Sequence, residues 1–288
     1  GITVAADDNM TLDLNGKTIS MQDASNNSAY AIKNNGSLTI KDSDEGGKGG
    51  KITFNSTTPD NSFGYATSTI GNGGHLTIEN GLIENTTVGG ASYAVDGIWH
   101  TGEASLTING GTMVAKKVAV RQVPFSATAK NTVTINGGTF TGETAGLQMF
   151  NINNDAKLSE TIIKGGTFNG TYAFYTSFTS AQASELATIN IDGGTFNGYV
   201  YLYNGNNGSN EYPMTVAITD GLFNSGAYIY TKDTNGNEVP IKAITGGTFS
   251  VDPTAYCAPD YSPIFNGSTY TVIKTSGTFT RTLSSGWS

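Results

Sequence analysis

One short pattern, an alternating apolar run, a pair ending in glycine and then a bulky apolar residue, returns along most of this chain. Leu106-Thr-Ile-Asn-Gly-Gly-Thr-Met113 is followed by Val133-Thr-Ile-Asn-Gly-Gly-Thr-Phe140 and Ile162-Ile-Lys-Gly-Gly-Thr-Phe168. Ile189-Asn-Ile-Asp-Gly-Gly-Thr-Phe196, Val216-Ala-Ile-Thr-Asp-Gly-Leu-Phe223 and Ala243-Ile-Thr-Gly-Gly-Thr-Phe249 continue it, and Leu76-Thr-Ile-Glu-Asn-Gly-Leu-Ile83 is a looser copy. The closing glycines are Gly81, Gly111, Gly138, Gly166, Gly194, Gly221 and Gly247, so the pattern returns at a nearly constant step. Copies around residues 13–19 and 50–54 bring the total to about nine units. A period of this size makes each unit one small structural piece that buries its apolar face only by stacking on its neighbours.

The residues inside a unit say what kind of piece it is. Leu106/Ile108, Val133/Ile135 and Ile189/Ile191 alternate with polar residues, which is the two-residue period of a strand. The glycine pair allows a positive φ or a close backbone approach, and a second alternating run such as Val118-Ala-Val120 or Tyr228-Ile-Tyr230 follows. No segment sustains a 3.6-residue apolar period, which removes helical repeats of similar length, and propeller blades are longer. The predicted fold is all-β: a single-stranded right-handed parallel β-helix of about nine coils, with repeats of roughly 26–34 residues and both ends capped. Residues 1–288 read as a single domain, with an N-terminal cap and first coil at 1–20, repeat coils at 21–250 and a C-terminal cap and tail at 251–288. Stacked core ladders are expected at Ile78, Ile108, Ile135, Ile163, Ile191, Ile218 and Ile244, and at Phe140, Phe168, Phe196, Phe223 and Phe249.

Composition narrows the function classes. With 15 Lys and Arg against 23 Asp and Glu, and only Arg121 and Arg281 as arginines, the chain is poorly equipped to grip nucleic acid, an anionic membrane or a polyuronate. The lone Cys257 excludes an intrachain disulfide framework and reads as a buried, inert thiol. No run of 18 apolar residues is present, so membrane insertion is not expected. Neither cofactor nor metal is expected. Asp42-Ser-Asp44-Glu-Gly46 begins like a calcium loop but has Thr53 where the closing Glu belongs. Residues 46–51 are glycine-rich around Lys48, yet Ile52 follows Lys51 where a phosphate loop needs Ser or Thr.

The repeated Ile-x-Gly-Gly-Thr-Phe, the opening Leu12-Asp-Leu-Asn-Gly-Lys-Thr-Ile19 and the later Gly246-Gly-Thr-Phe-Ser-Val-Asp-Pro253 resemble right-handed β-helix (pectin-lyase-like) segments of large secreted or wall-attached bacterial surface proteins. The resemblance implies an extracellular or cell-surface location and an adhesive or carbohydrate-contacting role, with a host or microbial glycan or a surface protein as partner. The chain lacks a recognisable signal peptide and wall-sorting motif, so the resemblance leaves the mode of attachment unspecified.

The same scaffold carries polysaccharide lyases and glycosidases, so catalysis has to be weighed. The Asp-Asp, Gly-His-Gly and Arg-Ile-Lys motifs of polygalacturonase-like members do not occur on the coils: Asp7-Asp8 precedes them, and neither His75 nor His100 lies in Gly-His-Gly. The best alternative is residues 96–103, where Asp96, His100 and Glu103 accompany Trp99 as an acid/base set beside a sugar-stacking ring. An ordinary loop would contain the same residues, and the balance leans against an enzyme.

The favoured site is aromatic. In Tyr199-Val-Tyr201-Leu-Tyr203, Val200 and Leu202 align with Val118/Val120 and Ala145/Leu147, which turns the three tyrosines outward. Tyr228 and Tyr230 fall one repeat after Tyr201 and Tyr203, and Tyr172 and Phe174 fall one repeat before Tyr199 and Tyr201. These seven residues are expected to form a local panel for a sugar or a protein. Alternatively, the loops at 178–188 and 204–213 cover it as a satellite core. An ice-binding plane on Thr39, Thr77, Thr107 and Thr134 is disfavoured because Ile162 and Asn190 interrupt the row.

Overall fold

The computed structural model describes residues 1–23, 29–44, 49–57, 67–87, 95–124, 129–151, 158–178, 187–203, 214–232, 235 and 237–275. Each strand lies parallel to the equivalent strand of the next turn: His75–Ile78, for example, pairs with Ser37–Lys41 on one side and Ser105–Ile108 on the other. The same holds for Leu82–Asn85 between Lys51–Ser56 and Thr112–Ala115, and for Val95–Thr101 between Thr67–Asn72 and Val118–Val123. Three parallel ladders thus wrap an all-β solenoid of about seven turns. That is fewer than the nine units counted in sequence, because the outermost units form its ends. Ile2–Val4, Asn9–Asp13 and Thr18–Asp23 each pair with one later strand. Thr248–Phe249 is parallel to its neighbour on one side and antiparallel to Tyr270–Lys274 on the other.

Two ladders carry the core expected of them. The Ile ladder from Ile78 to Ile244 is wholly buried. Along the second, Ile52, Ile83 and Met113 precede Phe140, Phe168, Phe196, Phe223 and Phe249, also wholly buried. Successive phenyl rings lie 4.5–5.0 Å apart and within 9° of parallel. That spacing matches the hydrogen-bonded distance between neighbouring strands of about 4.8 Å, so the backbone ladder sets the ring stack. A third inward column, Ile70, Ile98, Val120, Leu147, Phe174 and Val200, completes the core.

The seven closing glycines share one conformation, with φ between +87° and +130°. At Gly111 the reason is visible: an added Cβ would lie 2.6 Å from the Gly81 carbonyl oxygen of the turn below. The corner is therefore closed to side chains both by backbone conformation and by the approach of the neighbouring turn.

At the C-terminal end, the Tyr261–Phe265/Tyr270–Lys274 hairpin and the short Thr254–Tyr256 3₁₀ turn lie over the last unit, with Val272, Tyr256 and Cys257 buried against it. The remainder of the expected tail, 276–288, lies outside the described residues. No helix among the described residues is long and apolar enough to cross a membrane. Because the Phe column is closely packed, Phe196→Ala should cost about 3–5 kcal/mol. Urea unfolding measures this, and a loss below about 1 kcal/mol would contradict the packing.

Candidate functional site

The third ladder has an outward column as well. Its register runs Gly71, Trp99, Arg121, Gln148, Tyr175, Tyr201 and Tyr228, one residue per turn. The column changes character along its length. Its early part is closed: Trp99 is 8% exposed and Arg121 1%, with Phe150 buried beside them. Arg121 donates from Nε and Nη2 to the two Asp96 carboxylate oxygens, at 2.7 and 2.9 Å, and from Nη1 to Gln148 Oε1 at 2.6 Å. Its guanidinium carbon lies 5.9 Å from the Trp99 ring centre and 5.6 Å from that of Phe150, within cation–π range. Burial pushes the Asp96 carboxyl up, and the Arg121 charge and hydrogen bonds oppose that push. Asp96 is thus committed to an internal ion pair.

His100 belongs to a different column, a polar spine of Asn34, Asn72, His100 and Gln122 at one position of successive turns. Asn34 Nδ2 donates to Asn72 Oδ1 at 2.8 Å. Asn72 Nδ2 lies 2.9 Å from His100 Nδ1, and His100 Nε2 lies 3.0 Å from the Thr132 carbonyl oxygen. A carbonyl only accepts, so Nε2 carries the hydrogen and Nδ1 accepts from Asn72. Burial drives the imidazole down to about 3, against a smaller opposing effect of the Thr132 bond, so it stays neutral through the physiological range. Glu103 is exposed. The residues of the acid/base alternative are therefore divided: two are fully buried in structural bonds, and only Glu103 faces solvent.

The later part of the column is the aromatic face, with a different membership from that expected. Phe174 is not on it. Relative to Ala187–Tyr203, the strand Thr167–Phe178 has register shifts between Asn169 and Tyr172 and between Tyr172 and Phe174. The extra residues turn Phe174 inward against Val200, leave it fully buried, and bring Tyr175 opposite Tyr201. The column equivalents in earlier turns are consequently Gln148, Arg121 and Trp99, so the face continues the Trp99–Arg121 cluster and is not isolated.

Tyr172, Tyr175, Tyr201, Tyr203, Tyr228 and Tyr230 are half-buried, and Tyr199 is 46% exposed. Tyr172 and Tyr175 stack at 4.5 Å, while Tyr172–Tyr201, Tyr175–Tyr201, Tyr199–Tyr228 and Tyr201–Tyr230 lie 5.9–6.4 Å apart and tilted. Tyr256 closes the far edge, set edge-on to Tyr228 and Tyr230, with its hydroxyl donating to that of Tyr230. Burial pushes the Tyr201 hydroxyl up to about 12, helped by the Glu238 carboxylate, and pushes Tyr256 up as well. Both stay protonated and able to donate at neutral pH. The loops weighed as a cover, 178–188 and 204–213, lie almost wholly outside the described residues. Tyr175 and Tyr256 escape the sequence reading although each carries a signal: each lies one repeat from its neighbour on the face, Tyr201 or Tyr230.

No family model, curated protein or solved structure matches this chain. Its chemistry has to be read from the side chains. Among the described residues no group of His, Cys, Asp and Glu is placed to hold a metal. Asp42 accepts the backbone N–H groups of Gly16 and Gly50, which ties the calcium-like segment into a turn, with residues 45–48 outside the described set. Cys257 is free and buried, its thiol pushed up by burial.

Two outcomes test these roles. Arg121→Met should destabilise by about 3–5 kcal/mol because it strands a buried carboxylate, and Arg121→Met/Asp96→Leu should recover most of that loss. A neutral single variant in urea unfolding would contradict the pair. For His100, the unfolded imidazole takes up a proton below about pH 6.5 while the folded one resists until about 3. Its contribution is present above the unfolded pKa and lost as pH falls, by roughly 4–5 kcal/mol across that window. The stability difference between wild type and His100→Gln should therefore shrink as pH falls from 6.5 to 3. A constant difference would contradict a neutral buried His100.

Proposed function

We propose that this chain is a non-catalytic module of an extracellular bacterial surface protein, acting in adhesion or as a stalk, and that its tyrosine face binds a glycan. One observation carries the binding reading: seven tyrosines from three successive turns, joined by Tyr256, form a continuous face of tilted rings. Rings of this kind offer apolar faces to the C–H side of a sugar and hydroxyls to its polar rim. The pectin-lyase-like affiliation and the surface location rest on the repeated Ile-x-Gly-Gly-Thr-Phe unit and its likeness to such segments. The enzymatic alternative draws no support from Asp96 and His100, which are occupied inside the structure. A glycan array probed with the wild type and with Tyr201→Ala/Tyr230→Ala tests the proposal. Binding should appear in the wild type and drop sharply in the variant. No binding, or binding that the variant retains in full, would refute it.

A further inference from the structure

The chemistry around the tyrosine face narrows the ligand further, taking as its basis the reading that this face binds glycans. The rings in contact with one another are all tyrosines, and among the described residues no cation–π contact reaches them: the contacts of that kind belong to Arg121 with Trp99 and Phe150. Arg121 shares their column, reached from Tyr201 through Tyr175 and Gln148. It is spent, however. Three of its nitrogens donate to Asp96 and Gln148, and its side chain is 1% exposed. It has no free face to give a sugar carboxylate.

Among the described side chains, the charged group that acts on Tyr201 and Tyr256 is a carboxylate. Glu238–Pro240 runs antiparallel to Ala227–Lys232, the strand that carries Tyr228 and Tyr230, with Pro240 opposite Tyr230 and Glu238 opposite Lys232 in register. Glu238 is exposed, and its carboxylate acts on both Tyr201 and Tyr256. An acidic sugar seated on the rings would meet this like charge, whereas an uncharged sugar would meet ring faces and hydroxyls.

We propose that the tyrosine face selects uncharged glycans and that Glu238, at its edge, turns away glycans bearing uronate or sulfate groups. Selection of this kind is a difference between two affinities, obtained here by a repulsive element beside an attractive surface. It also makes binding to neutral glycans largely indifferent to salt, because no ion pair contributes to it.

Calorimetry with a neutral hexose oligosaccharide and a uronate oligosaccharide of equal length tests the proposal, using wild type, Glu238→Lys and Tyr201→Ala. The neutral oligosaccharide should bind wild type at low and high salt alike, and should weaken roughly tenfold in Tyr201→Ala. The uronate oligosaccharide should fail to bind wild type and should bind Glu238→Lys in a salt-dependent way. Glu238→Lys lies at an exposed position, so folding is not at stake, and it should leave the neutral affinity unchanged. Uronate binding to wild type as tight as neutral binding, or rejection that persists unchanged in Glu238→Lys, would overturn the selectivity and leave the glycan site standing. Binding of neither oligosaccharide by folded wild type, on a calorimeter that detects weak affinities, would overturn the glycan reading together with this one.

Discussion

Backbone hydrogen bonds between successive turns fix a separation of about 4.8 Å, and every side-chain column inherits that distance. Within it, identical residues at one position touch their own kind. Phenyl rings stack from Phe140 to Phe249, asparagines hand a hydrogen bond from Asn34 to Asn72, and tyrosines lean on tyrosines from Tyr172 to Tyr230. Exposed asparagines do the same, Asn197 donating to Asn169 and Asn224 to Asn197. The solenoid is thus a set of one-dimensional columns, each with its own chemistry, and a change of residue type along a column changes the surface without disturbing the fold.

The outward column of the third ladder illustrates the consequence. Over its first turns it holds Trp99, Arg121 and Gln148, and the guanidinium is enclosed by Asp96, Trp99 and Phe150. Over its later turns it holds Tyr175, Tyr201 and Tyr228, beside the partly open Tyr199. A buried ion pair is weak evidence of stabilisation by itself, since desolvation offsets much of the attraction. Its geometry here instead fixes one arrangement of three neighbouring turns, because a guanidinium with three donors committed tolerates little slippage.

Much of this is legible in the chain. The Ile and Phe columns and the left-handed glycines follow from the nearly constant step of the repeat, because each corner and each inward position recurs once per turn. What escapes is local. A strand with extra residues keeps the same composition and nearly the same period, so nothing in the spacing of Tyr172 and Phe174 announces that Phe174 turns inward and Tyr175 takes its place. The closure of Asp96 on Arg121 escapes for a related reason. Their separation in sequence is close to one turn, but charge pairing between turns depends on the register of both strands. His100 misleads because an imidazole between two carboxylates in sequence resembles an acid/base set, whereas in space it extends an asparagine spine.

If the open stretch of this column is where a ligand sits, a crystal of the protein soaked with a neutral oligosaccharide shows it most directly. The expected result is sugar density stacked against Tyr199, Tyr201 and Tyr228, with hydroxyl contacts toward Tyr230. Density lodged instead in the groove among Asn85, Lys116, Thr141 and Glu143, with the tyrosine face bare, would contradict it.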